Sequence, residues 1–140
     1  MFCRRAKVRY CAYNGASYQI LPSPPTCYVK KGKENIGYFE GTTISASSLH
    51  INHFAVDSSI TGEGKGERML RGFAALIKVQ CPSVSQIIFD LGRSTANSNI
   101  QKLAQARVSL FQKIGAINIQ THQPNGWCLV ASATWSKSQW

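Results

Sequence analysis

Along the first 56 residues, apolar and β-branched positions come in short segments separated by turn residues, and after residue 65 the period lengthens to that of a helix. Residues 7–13 and 16–21 flank Asn14-Gly15, a dipeptide suited to the positive φ angles of a tight hairpin turn. Pro22-Ser23-Pro24-Pro25 breaks regular structure and marks a surface connection. Residues 27–30 and 36–44 flank a polar turn and form a second predicted hairpin, and 49–56 reads as one further strand. From 66 to 80, Met69, Leu70, Phe73, Leu76 and Ile77 recur at spacings of three and four, which places them on one face of a helix. Pro82 ends it. Residues 86–91 form a short apolar run suited to a buried strand. A second helix carries Ile100, Leu103, Ala104, Arg107, Leu110, Phe111 and Ile114 on one side, with Gly115 where a left-handed cap is wanted. Two strands, 117–120 and 127–131, close the chain. The order β-β-β-β-β-α-β-α-β-β predicts an α/β layered fold with a mixed sheet.

Length and composition narrow the classes. At 140 residues, 44% hydrophobic and 16% charged, the chain suits one core-forming domain and excludes disorder and low-complexity classes. No apolar run approaches the ~20 residues that span a bilayer, and Met1-Phe2-Cys3-Arg4-Arg5 is not followed by the apolar stretch of a secretory signal. The expectation is a soluble, cytoplasmic single domain over 1–140: an N-terminal hairpin and proline-rich connection over 1–26, a core over 27–120, and a strand with a basic tail over 121–140. Sixteen lysines and arginines against six acids give a formal charge of +10, and all six acids lie between Glu34 and Asp90. Basic ends of this kind attract polyanions, nucleic acid among them, though a basic protein also stays soluble this way. The five cysteines show no CxxC spacing and, with His50, His53 and His122, no zinc pattern; free thiols buried as small apolar residues are expected, and no metal.

The segment from Phe54 to Leu70 holds the most chemistry. A strand runs into glycines at alternate positions (Gly62, Gly64, Gly66) and a helix starts at once. Glycine lets a ligand approach the backbone amides, and a helix N-terminus adds unpaired N–H groups that suit a phosphate. The bland alternative is a tight strand-to-helix turn. A Walker A loop fails because Ser59 stands at its first glycine and Gly66 follows Lys65; a dinucleotide fingerprint fails at Glu67.

Val56-Asp57, then Thr61-Gly62-Glu63-Gly64-Lys65-Gly66, then Met69-Leu70 resemble the acyl-CoA loop of the GNAT acyltransferase superfamily. Ile36-Gly37-Tyr38-Phe39, residues 86–91, and Leu110-Phe111-Gln112-Lys113-Ile114-Gly115-Ala116 resemble further segments of that family, in the same order, over roughly residues 27–120. The resemblance implies a mixed, mostly antiparallel twisted sheet with two principal helices and a V-shaped opening between the fourth and fifth strands. It implies that the acetyl-CoA arm pairs with backbone at Phe54, Ala55 and Val56, and that the diphosphate lies on the segment Thr61, Gly62, Glu63, Gly64, Lys65, Gly66 and Glu67. An amine acceptor would attack the thioester directly in a ternary complex, with a backbone N–H near Val56 stabilising the oxyanion.

Departures accompany the match. The usual Arg or Gln at the loop start is Thr61, and the tyrosine that commonly protonates the thiolate is Phe111, expected beside the cofactor but with no proton to give. Residues 13–26 are too short and proline-rich for the two helices that shape the family's acceptor site. As general base, Asp90 on the fifth strand comes first, with His53 and Glu40 near the cleft. His50 and His53 have opposite parity, so in a regular strand at most one of them faces it. Two functions follow: an acetyl-CoA-dependent N-acetyltransferase whose amine acceptor the sequence leaves open, with a protein or an RNA as candidate carriers; or a GNAT-like binding module that docks nucleic acid or an acidic protein through its basic ends. An exposed sheet edge near the tail suits pairing with a second copy of the chain.

Overall fold

The computed structural model describes residues 17–22, 25–56, 65–94, 100–121 and 127–140. In chain order the elements are β1 (Ser17–Pro22), β2 (Pro25–Lys31), β3 (Glu34–Glu40), β4 (Thr43–Ser45), β5 (Ser48–Ile51), β6 (His53–Val56), α1 (Lys65–Gln80), β7 (Gln86–Ser94), α2 (Ile100–Ile114), β8 (Ile117–Gln120) and β9 (Trp127–Ser136), followed by a 3-10 turn at Lys137–Gln139. Strands β1-β2-β3-β6 form one sheet, and β4-β5-β7-β9-β8 the other. Every described pairing is antiparallel except β5 with β7, whose parallel crossover is supplied by α1.

The proline segment behaves differently from expectation. β1 runs up to Pro22 and β2 starts at Pro25, and these two prolines are register partners across a tight connection. Proline is tolerated there because it stands at the strand ends, where a missing N–H costs no interior ladder bond. The predicted strand over 7–13 and its Asn14-Gly15 turn lie outside the described residues. The continuous strands expected over 36–44 and 49–56 are each broken once, at Gly41-Thr42 and at Asn52.

Both helices lie on one face of the sheets. Phe73 of α1 stacks on Phe39 of β3 with ring centroids 4.3 Å apart, and Phe111 of α2 meets Phe89 of β7 at 4.9 Å. Trp135 of β9 donates its indole N–H to the carbonyl of Ile114 at the end of α2, at 2.9 Å. These residues join Tyr18, Leu49, Ile51, Leu70 and Ile87 in one buried cluster. Gly72 of α1 sits against Tyr18, where a Cβ would fall onto the tyrosine hydroxyl; that hydroxyl donates to the Met69 carbonyl at 2.8 Å and ties β1 to the helix. Cys27 is a buried free thiol, whereas Cys81 is disulfide-bonded. The expectation of free thiols throughout is therefore corrected at Cys81, since spacing along a chain does not report which cysteines the fold brings together. Among the described residues no helix is long and apolar enough to cross a membrane.

Candidate functional site

The hairpin from β3 to β6 is shared between the two sheets, and its bend builds the site. Glu40 pairs with His53, and Thr43 with His50; between them the Asn52 N–H donates to the Glu40 carbonyl at 3.2 Å. Gly41 at φ +64° permits this bend, and a Cβ there would lie 2.7 Å from the Asn52 side-chain nitrogen, so glycine is required twice over. Because Phe39 is buried under α1, its neighbour Glu40 and Glu40's partner His53 occupy the opposite face. Leu49 and Ile51 are buried, which puts His50 on that opposite face as well. The extra residue at Asn52 thus resets the alternation. Both histidines face the same way, correcting the parity expectation, which holds only for an unbroken strand.

The same bend separates two strands. β5 runs alongside β7 up to the pair Ile51↔Phe89. Beyond it, β6 pairs only with β3, and residues 90–94 of β7 pair only with β9. Among the described residues, the facing edges of 53–56 and 90–94 therefore carry no ladder bonds to each other. Phe54, Ala55 and Val56 form one of these edges. Asp90, exposed, is the first residue of β7 past the last parallel pair.

Tyr38 of β3 completes this end of the face. Its hydroxyl lies 3.3 Å from His53 Nε2, and the two rings stand 5.6 Å apart at 52°. Tyr38 and His53 are both half-buried, and Glu40 beside them is exposed. Asp90, Glu40 and His53 thus come to the same face around the divergence of β6 and β7. Tyr38 and His50 join them. Tyr38 was open to sequence reasoning, because it alternates with the core residue Phe39; His50 was not, because its orientation depends on the break at Asn52.

Of the predicted loop, Thr61, Gly62, Glu63 and Gly64 lie outside the described residues. Lys65, Gly66 and Glu67 form the first turn of α1. The Glu67 carboxylate accepts from Arg71 Nε at 3.1 Å and is thereby already paired. A Cβ on Gly66 would meet only Leu110, at an ordinary 3.5 Å, so packing does not dictate glycine there. Phe111 is 0% exposed and packs against Phe89. The amphipathic period points this ring at the sheet, and the sheet's own aromatic residues enclose it. Burial pushes the Cys27 thiol far above its ordinary range, which leaves it protonated and no nucleophile. Among the described residues no three His, Cys, Asp or Glu side chains group as metal ligands.

No model of a protein family matches the sequence, and no curated sequence matches it significantly. Solved structures do resemble it in three dimensions. A GNAT family acetyltransferase from Elizabethkingia anophelis with acetyl-CoA bound is 16% identical over 80% of this chain and 75% of its own, with a TM-score of 0.53. The aminoglycoside acetyltransferase AAC(6')-Ib in complex with coenzyme A and kanamycin is 17% identical over 85% of this chain and 73% of its own, with a TM-score of 0.56. An N-acetyltransferase from Staphylococcus aureus is 15% identical over 81% and 67%, with a TM-score of 0.51. At these identities the likeness is one of fold.

Proposed function

We propose that this chain, which has the fold of the GNAT acetyltransferases, transfers an acetyl group from acetyl-CoA to an amine. The observation that carries the reading is the divergence of β6 from β7: among the described residues, two neighbouring edges that carry no ladder bonds to each other, on the strands that precede and follow α1 in the chain. An extended amide-containing arm can bond to such an edge as a strand would, at Phe54, Ala55 and Val56. Its diphosphate lies against the amides leading into α1, from Gly62 to Glu67, where the helix dipole favours negative charge. The thioester carbonyl then meets a backbone N–H near Val56, which stabilises the charge that develops on its oxygen.

The acceptor approaches from the open face of the sheet. His53, Glu40 and Asp90 surround the divergence there and supply the base. Phe111 offers no proton, so the departing thiolate takes one from the attacking nitrogen or from water; loss of a single general acid slows such chemistry by about 10²–10⁴-fold without abolishing it.

Thermal denaturation with acetyl-CoA tests the reading. Binding raises the midpoint in step with RT ln(1 + [L]/Kd), about 2.7 kcal/mol at a hundredfold excess over Kd. Gly64→Trp removes the shift by filling the space above the loop amides. Millimolar acetyl-CoA that leaves the wild-type midpoint where it was sinks the proposal. The amine requirement is then read from coenzyme A release, followed with a thiol reagent.

A further inference from the structure

The base is one of three candidates above, and the structure distinguishes among them. Only His53 has a described side-chain partner on the open face: Tyr38, with its hydroxyl 3.3 Å from Nε2 and its ring tilted against the imidazole. A tyrosine hydroxyl can donate to one group while accepting from another, which is what a relay requires. Glu40, directly across the ladder from His53, favours a positive charge arriving on the imidazole.

We propose that Tyr38 and His53 form a proton-accepting dyad for the acceptor amine, with Tyr38 as the catalytic residue that touches the substrate. This rests on the acetyl-transfer reading. In the first step the ammonium nitrogen gives a proton to Tyr38 Oη as Tyr38 passes its own to His53 Nε2, leaving a neutral amine, an intact tyrosine and an imidazolium. The amine nitrogen then bonds to the thioester carbonyl carbon and the C–S bond breaks. The second proton leaves the nitrogen for the thiolate, and the imidazolium returns its proton to water. The sum is ammonium plus acetyl-CoA giving acetamide, coenzyme A and one proton. His53 accepts at Nε2 in the tautomer that carries its proton on Nδ1. Among the described residues, the titratable groups on the neighbouring strands are Tyr38 and Glu40 on β3, Tyr28 on β2 opposite Tyr38, His50 on β5 and Asp90 on β7.

Tyr38→Phe keeps the ring and removes only the hydroxyl, so it is the informative variant. With acetyl-CoA and spermidine as probes, Y38F and H53Q each lower coenzyme A release by about 10²–10⁴-fold and erase the histidine limb of the pH–rate profile. The double variant is no worse than either single one, because the two act as a unit. The acetyl-CoA thermal shift is retained in Y38F, which separates this proposal from the thioester reading: if wild type shows no shift, that reading has failed first and takes the dyad with it. Y38F turnover within threefold of wild type, with the histidine limb intact, overturns the dyad. A second measurement needs no turnover. In proton–nitrogen spectra of the histidine rings, assigned with H50Q and H53Q, His53 carries its proton on Nδ1 in the wild type, and its titration midpoint moves by about half a unit or more in Y38F. Where spermidine gives no product, this comparison decides alone, and an unmoved His53 titration ends the proposal.

Discussion

On one face of the sheets, Phe39, Phe89 and Trp135 meet the helices and are wholly enclosed; one residue along the same strands, Tyr38, Asp90 and Thr134 look the other way and remain partly or fully exposed. The contrast follows from the period of a strand, which hands successive side chains to opposite faces. It has an energetic consequence. Enclosed residues are held to shape and volume by close packing, so their identity is spent on folding. Residues on the open face are released from that constraint and can be hydroxyls, imidazoles and carboxylates at little cost.

The comparison breaks if core and open-face substitutions cost alike. The largest expected effect is at Trp135, the largest fully buried side chain among the described residues, which also ties β9 to α2 through the Ile114 carbonyl. Trp135→Ala should remove about 3–5 kcal/mol in urea unfolding. A loss under about 1 kcal/mol would mean that the helix layer is not what holds the sheet. Next comes Gly72→Ala. Alanine favours a helix by up to about 1 kcal/mol, yet its Cβ lands on the Tyr18 hydroxyl and 2.6 Å from the ring carbon bearing it, so β1 must shift and the bond to Met69 is strained or lost. Overpacking of this kind costs about 1–3 kcal/mol, so the clash wins and the variant is less stable. Gly41→Ala is intermediate. The left-handed backbone costs a Cβ residue about 1–2 kcal/mol before the contact with Asn52 is counted. Asn52→Ala in the same chain should recover part of that loss, and a double-mutant cycle measures how much.

Most of the covered face could be read from the sequence. Met69, Leu70, Phe73 and Ile77 announce α1 by their spacing, and Gly115 sits at φ +81° just past α2, where the sequence put a cap. The α/β order also agrees with expectation, because hydrophobic period and turn residues encode it locally, and the mostly antiparallel sheet agrees with what the resemblance implied. The bend was hidden. It depends on Gly41 and Asn52 meeting across the hairpin, a contact between residues eleven apart that no local pattern marks. The orientation of His50 was lost with it. The helical face that carries Phe111 aims its ring at Phe89. Cys81 shows the same limit, since its disulfide is a fact of proximity.

The smallest effects sharpen the comparison most. Glu40 and Asp90 are both exposed and make no described contact in the core, so Glu40→Gln and Asp90→Asn should each change unfolding stability by less than about 0.5 kcal/mol. Their effect on a cationic acceptor should be larger than on folding. Each substitution removes one negative charge from the divergence, which weakens attraction for an ammonium; in the proposed reading acetyl-CoA is held by backbone groups and is unaffected. The expected pattern is a KM for spermidine that rises severalfold in either variant and rises less as salt screens the charges, with an unchanged acetyl-CoA thermal shift. E40Q should additionally lower kcat, because Glu40 stands across from the imidazole that becomes charged, whereas D90N should act on KM alone. Equal effects on kcat would place Asp90 rather than the Tyr38–His53 pair next to the moving proton.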